Sequence, residues 1–257
     1  MAYFQLTVVA RSKTPFAKLL GTDIAKFLET LITQHAITLL TGTSIVEIYA
    51  NVDNDLERVK LSDGSVIECN VLIVAAGTRP NTQFLNDSGI SMNKDGTVNC
   101  DTYCRSNIED IFVGGDIANA PIFAIDNELG NCRYLKVAQY HGRIAGRNMS
   151  RIDSMEREEL RCVPQYFTSV FGRRLRYAGH GEYVDVYIDG KIPDMNFAAY
   201  YINREEFVVA VATIGRDPLA AQFAELLYQH KRLHRCDVLG KPNTTDWTQM
   251  IKTRPRC

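Results

Sequence analysis

The chain has 257 residues, 46% of them hydrophobic and 23% charged, with a formal net charge of -1. That length holds one large or two modest domains around a sizeable core, in a chain of ordinary globular composition. The near-neutral charge gives no field that gathers nucleic acid or an anionic membrane, and no apolar run reaches the length that spans a bilayer.

The first residues enter a strand at 6–10 directly, without the charged and apolar regions of a signal peptide or the arginines of a transit segment. Phe16, Leu19, Leu20, Ile24, Phe27, Leu28, Leu31 and Ile32 recur at helical spacing, so 14–35 is expected to be mainly one amphipathic helix. Strands follow near 37–40, 44–50 and 58–61, and Asp63-Gly64 between alternating residues signals a hairpin into 66–68. The apolar run at 71–75, closed by Gly77, reads as a buried strand.

Residues 108–118 read Ile-Glu-Asp-Ile-Phe-Val-Gly-Gly-Asp-Ile-Ala. The run Ile111-Phe112-Val113 stops at Gly114, Gly115 and one carboxylate, Asp116. This is the pattern of a buried strand whose glycines admit close approach to the backbone, with an acid placed at the strand end to bind a ligand hydroxyl. A plain Gly-Asp turn satisfies the same residues. A helix with small residues on one side is expected over 137–146, and the polar stretch 151–161 is a linker or a helical crossover. Strands near 183–188, 197–202 and 207–213, then a helix over 218–230, make an α+β pattern.

Taken together, the run at 71–75 ending Gly77-Thr78-Arg79-Pro80-Asn81, then Thr102, then the Gly-Gly-Asp segment resemble the pyridine nucleotide-disulfide oxidoreductases. These are flavoproteins with two dinucleotide-binding domains. Residues 163–179 and 197–214, Thr14-Pro15-Phe16 and Asp217-Pro218 narrow the likeness to apoptosis-inducing factor-like flavoproteins, nearest the branch with an N-terminal Rieske domain. The implied fold class is α/β, a partial FAD/NAD(P)-binding (glutathione reductase-like) fold followed by an α+β C-terminal domain. Residues 1–80 would be the C-terminal part of the NAD(P)-binding domain and 81–152 the second part of the FAD-binding domain. Residues 160–238 would be a reductase or dimerisation-type domain, and 239–257 a tail.

The resemblance implies an FAD-dependent NAD(P)H oxidoreductase that passes hydride to FAD and then electrons to another carrier. Asp116 would hold a ribityl hydroxyl, with Gly115 permitting contact and Ile117 at the edge. The helix start at Lys136 and Val137 would aim its amides at the flavin. Phe167 would lie beside the ring where the family usually has Trp; a core aromatic is the equal alternative. Such chemistry demands no acid–base or nucleophilic side chain, so no catalytic residue and no metal are assigned. Partners left open are an electron-acceptor protein or iron–sulfur domain and a second copy of the chain, in a mitochondrial or cytoplasmic setting. Nucleic acid is not expected.

Two departures bear on that reading. No Gly-x-Gly-x-x-Gly turn occurs in the chain, although the family has one for FAD and one for NAD(P). The expected product is therefore N-terminally truncated relative to a longer flavoprotein, and the alternative function is a non-catalytic interaction or dimerisation fragment. At the end of the first strand, where the family usually has an acid, stand Ala10 and Arg11. Arg11 either favours a 2′-phosphate or is an exposed basic residue.

Other clusters carry less. Seven cysteines suggest reduced intracellular thiols, and Cys100 with Cys104 is either a redox pair or two buried structural thiols. His230, His234 and Cys236 lack a further ligand pair for zinc. Arg173, Arg174 and Arg176 would meet an acidic partner or form a solvated loop.

Overall fold

Strand β1 (Thr7–Ala10) runs parallel to β2 (Thr38–Thr41), with Thr7 opposite Thr38 and Ala10 opposite Thr41. Parallel strands need a long crossover, and here it is helical. In this computed structural model, which describes residues 5–150, 157–241 and 244–251, the crossover is two helices, α1 (Ala17–Leu20) and α2 (Thr22–Gln34). The single helix expected over 14–35 breaks at Gly21, whose φ of 84° no helix accommodates. The apolar stripe survives the break: Leu20, Ile24, Ala25 and Leu28 are all buried. Strands β3 (Ile45–Ala50), β4 (Leu56–Leu61) and β5 (Val66–Glu68) form an antiparallel sheet in chain order. The Asp63 carboxylate accepts from the Ser65 amide at 2.9 Å and its hydroxyl at 2.6 Å, closing the expected turn.

The strand expected at 71–75 is not there. Val71, Ile73 and Val74 are exposed, and the segment joins no ladder among the described residues. An apolar run becomes a buried strand only where neighbours supply hydrogen bonds and a covering face; here neither is supplied.

The chain divides into two compact units, Met1–Gly77 and Thr78–Cys257. In the second, β6 (Val98–Asn99) runs parallel to β7 (Ala118–Ile122), and β8 (Glu128–Gly130) runs antiparallel to β7. Helix α3 (Leu135–Met149) buries Val137, His141, Ile144, Ala145 and Asn148, which recur at helical spacing. Ile144 and Ala145 pack in one cluster with Val98, Cys104, Val113 and Ala118. The strand expected at 111–113 reduces to a single bridge between Phe112 and Arg105, for the same want of a flanking ladder. Of the stretch expected as linker or helical crossover, 151–156 lie outside the described residues and 157–161 form no regular element. Asn148 ties this return to the helix, donating to the carbonyls of Tyr103 at 3.0 Å and Glu158 at 2.9 Å.

The largest sheet joins β9 (Gln165–Val170), β10 (Arg173–Gly179), β11 (Asp185–Lys191), β12 (Asn196–Ile202), β13 (Phe207–Ile214) and β14 (Leu233–His234). Its order is β11-β12-β13-β10-β9, with β14 also on β13 and all neighbours antiparallel. On one face α4 (Leu219–Tyr228) sets Leu219, Phe223 and Leu226 into a core with Ala198, Tyr200, Val211 and Trp247. Tyrosines cover the other: the rings of Tyr134, Tyr166, Tyr177, Tyr201 and Tyr183 follow one another at 5.0, 4.8, 5.6 and 5.0 Å between centroids. Strand 165–170 and its hairpin partner were not among the expected elements.

Candidate functional site

Val113 is buried, and its amide donates to the Cys104 carbonyl at 2.8 Å. Beyond it the backbone crosses α3 at close range. A Cβ at Gly114 would come within 3.3 Å of the His141 Cβ, and Gly115 turns with φ of +75° toward Ala138. That left-handed conformation starts a 3-10 turn, Gly115–Ile117, which leads into β7 and leaves the Asp116 side chain exposed. Ile117 is half-buried against the α3 core.

The turn is held by a residue that the sequence did not single out. Asn131 donates to the carbonyls of Asp116 at 2.9 Å and Ala118 at 2.7 Å, and its Oδ1 accepts from Arg133 Nε at 2.6 Å. Arg133 in turn donates to the Thr78 carbonyl at 2.8 Å. The Thr-Arg-Pro-Asn segment and the Gly-Gly-Asp turn, far apart in sequence, are thus pinned together through two side chains. Asn and Arg acting on main-chain carbonyls leave no local signature, which is why pattern reading passes over them.

Helix α3 opens at Tyr134 with no side-chain cap and no acid in its first turn. Its first amides and positive dipole end are available to an electron-rich ligand. Lys136 is exposed, and its ammonium stands 5.2 Å from the centre of the Phe167 ring. The Val137 side chain is buried with Ile122 and Cys132, so this residue faces the site only through its backbone. Phe167 is 58% exposed, which removes the core-aromatic alternative. Alternation along β9 explains this: Tyr166 turns into the tyrosine face and Phe167 turns away. Arg174 adds a second cation 5.9 Å from that ring. The Asp116 turn therefore lies on α3, and Lys136 joins the start of the same helix to Phe167. Behind Val137, a cavity of about 10 Å³ lined by Cys132, His141 and Cys162 holds at most one water.

The remaining candidates resolve differently. Burial pushes the thiols of Cys100 and Cys104 up to about 12, which keeps them protonated and unreactive at neutral pH. His234 caps the turn Arg235–Asp237, and His230 packs edge-on against Phe123 at 4.3 Å. Arg176 pairs with Asp217 at 2.5 Å on strand β10, so the three arginines belong to a strand, not a loop. In the first unit Ala10 ends β1, and Arg11, Ser12 and Lys13 follow as exposed residues.

These residues fit the ring and ribityl end of a flavin: an acid on a tight glycine turn, an uncapped helix start and an open aromatic. No glycine-rich turn for a pyrophosphate occurs in the chain.

A family model described as pyridine nucleotide-disulphide oxidoreductase matches residues 2–142. Apoptosis-inducing factor 3 of Mus musculus is 30% identical over 234 residues, covering 91% of this chain and 38% of its own length. The Homo sapiens protein of that name matches with the same identity and coverage. The chain thus spans little more than a third of these relatives. A ferredoxin reductase from Rhodopseudomonas palustris superposes with a TM-score of 0.80 at 16% identity, over 96% of this chain and 59% of its own. The reductase in a covalent putidaredoxin reductase–putidaredoxin complex follows, with a TM-score of 0.75 at 17% identity over 87% of this chain and 52% of its own. An engineered NADPH oxidase, made from the water-forming NADH oxidase of Lactobacillus brevis and bound to NADPH, has a TM-score of 0.73 at 17% identity over 95% and 59%. Its substitutions include three consecutive ones that replace Asp, Ala and Met by Ala, Arg and Ser. At such identities the structures share the fold, the α/β architecture of FAD/NAD(P)-binding oxidoreductases. The chain belongs to the pyridine nucleotide-disulphide oxidoreductase family.

Proposed function

We propose that this chain is the nicotinamide- and flavin-facing part of an FAD-dependent NAD(P)H oxidoreductase that hands electrons to another carrier. The observation that carries the reading is the joint placement of the Asp116 turn and the uncapped start of α3, with the Phe167 ring open beside Lys136. When bound, FAD accepts a hydride and releases electrons singly or in pairs; the protein supplies position and field. Asp116 would hold a ribityl hydroxyl as its hydrogen-bond acceptor, and Asn131 keeps the turn that presents it. The first amides of α3, with Lys136, favour negative charge on the ring system. Phe167 would lie against one edge of the bound ring.

The engineered NADPH oxidase carries Ala, Arg and Ser at three consecutive substituted positions, and the same residues stand here as Ala10, Arg11 and Ser12. That run is our reason for placing the adenosine ribose of NAD(P)H at the end of β1. The putidaredoxin complex supports a small electron-carrier protein as the acceptor, and the cations Lys136 and Arg174 around Phe167 suit an acidic one.

A second reading, an interaction module without turnover, is favoured by one fact: neither glycine turn occurs in the chain. The two separate in one experiment. The purified chain is mixed with FAD, freed of excess by gel filtration, and its visible absorbance recorded. A retained flavin band, weakened by Asp116→Ala and by Phe167→Ala without loss of fold, supports the oxidoreductase. A folded but colourless protein leaves the interaction module.

A further inference from the structure

We propose that Cys236 and His234 form a nucleophile and base pair, a modification site at which Cys236 exchanges with a low-molecular-weight disulfide. The two residues flank Arg235 where β14 passes into the turn Arg235–Asp237. Cys236 is exposed, and its Sγ lies 3.1 Å from His234 Nδ1. The Cys236 amide donates to the same nitrogen at 3.2 Å. An amide N–H can only donate, so Nδ1 carries its lone pair and the ring proton sits on Nε2. That lone pair is the base the thiol meets. The imidazole is held in this pose. Phe207, opposite His234 in the β13–β14 ladder, meets the ring edge-on at 5.3 Å, and Asp237 accepts from the His234 amide at 2.9 Å. A nucleophile within reach of a base that other groups orient is the arrangement that activates a thiol.

Among the described residues no other cysteine joins exposure to a base. Cys132 has the imidazole of His180 at 3.6 Å but is buried, and burial pushes its thiol up to about 12. Cys100 and Cys104 are buried in the same way. Cys69 is half-buried with no imidazole at its sulfur. At Cys236 the thiol proton passes to His234 Nδ1, and the thiolate attacks one sulfur of the disulfide RS–SR. The RS–SR bond breaks as the Cys236 S–S bond forms, and the departing thiolate takes the proton from the imidazolium as RSH. Cys236 is thereby oxidised and one sulfur of the reagent reduced, with nothing left over. A hydroperoxide fits less well. Its departing oxygen calls for a free cation, and the neighbouring Arg235 is already held by Asp185 at 2.8 Å and Glu206 at 3.4 Å. The exchange requires neither FAD nor NAD(P)H.

The test treats the full chain, carrying Cys257→Ser, with oxidised glutathione at neutral pH and follows each cysteine by peptide mass mapping over time. Cys236 should gain the glutathionyl group at least roughly 10-fold faster than Cys69 in the same molecules, a comparison that needs no further variant. His234→Asn removes the base yet keeps a side-chain oxygen for the Cys236 amide, so the turn persists. It should slow Cys236 by roughly 10- to 100-fold, at or below the lower end of what a positioned proton acceptor contributes, and leave Cys69 unchanged. Equal rates at Cys236 and Cys69, or a folded His234→Asn chain that reacts as fast as its parent, would overturn the assignment. So would a Cys236 that hydrogen peroxide converts to the sulfenic acid while oxidised glutathione leaves it untouched.

Discussion

Strand β12 and the segment from Val71 to Val74 are both short apolar runs, and they end in opposite conditions. Every residue of Phe197–Ile202 is at most 1% exposed, while Ile73 is 82% exposed and Val71 76%. Composition does not separate them. Strand β12 lies between β11 and β13, so its backbone bonds are made on both edges, with α4 on one face and tyrosines on the other. The 71–74 run has no ladder on either edge among the described residues. Hydrophobicity marks what can be buried; neighbours decide whether it is.

The contrast makes its largest prediction in stability. Phe223→Ala, on α4 in the core cluster it shares with β12 residues, should cost about 3–5 kcal/mol by leaving an unfilled cavity. The lone tryptophan, Trp247, packs edge-on against Phe223 at 6.1 Å, so its fluorescence in urea reports that core directly. Ile73→Ser should change the unfolding free energy, read from urea titration by circular dichroism, by no more than about 0.5 kcal/mol. Equal costs would mean that the 71–74 run is packed after all, and the comparison would collapse.

A smaller effect is expected where the site is tied to its scaffold. Asn131→Ala removes two bonds to main-chain carbonyls and should cost about 1–3 kcal/mol. It should also lower FAD retention, because the Asp116 turn loses its anchor while Asp116 itself remains. Unchanged retention would separate the turn from the flavin.

How far these regions can be read beforehand follows from the range of the interactions involved. Strands β12 and β13 are legible because burial on both faces demands unbroken apolar runs. The Asp63-Gly64 hairpin is legible because its turn chemistry is local. The hairpin of β9 and β10 is hidden because Arg173, Arg174 and Arg176 interrupt the apolar pattern. Gly115 and Asp116 announce a candidate site through residue type. Asn131 and the Lys136–Phe167 contact do not, since each depends on chain segments that meet only in the fold.

The smallest prediction concerns His141, which lies under Gly114 with Nδ1 buried and unpartnered. Burial lowers its pKa below the ordinary 6.5, and burial does the same to His180. With the folded value depressed, the unfolded chain binds more protons once the pH drops below 6.5. Stability is then full above that value and is lost as the pH falls toward the depressed one. The urea midpoint should therefore decline progressively as the pH is lowered below about 6.5, the unfolded value. His141→Gln removes one of the two titrations, so the slope should shallow without vanishing, His180 carrying the remainder. A slope untouched by this change would place the proton uptake elsewhere. Because the Gly114–Gly115 crossing packs on the α3 backbone at His141, FAD retention measured over the same pH range should weaken in step with the midpoint. Stability loss without flavin loss would show that the turn holds its shape independently of the helix beneath it.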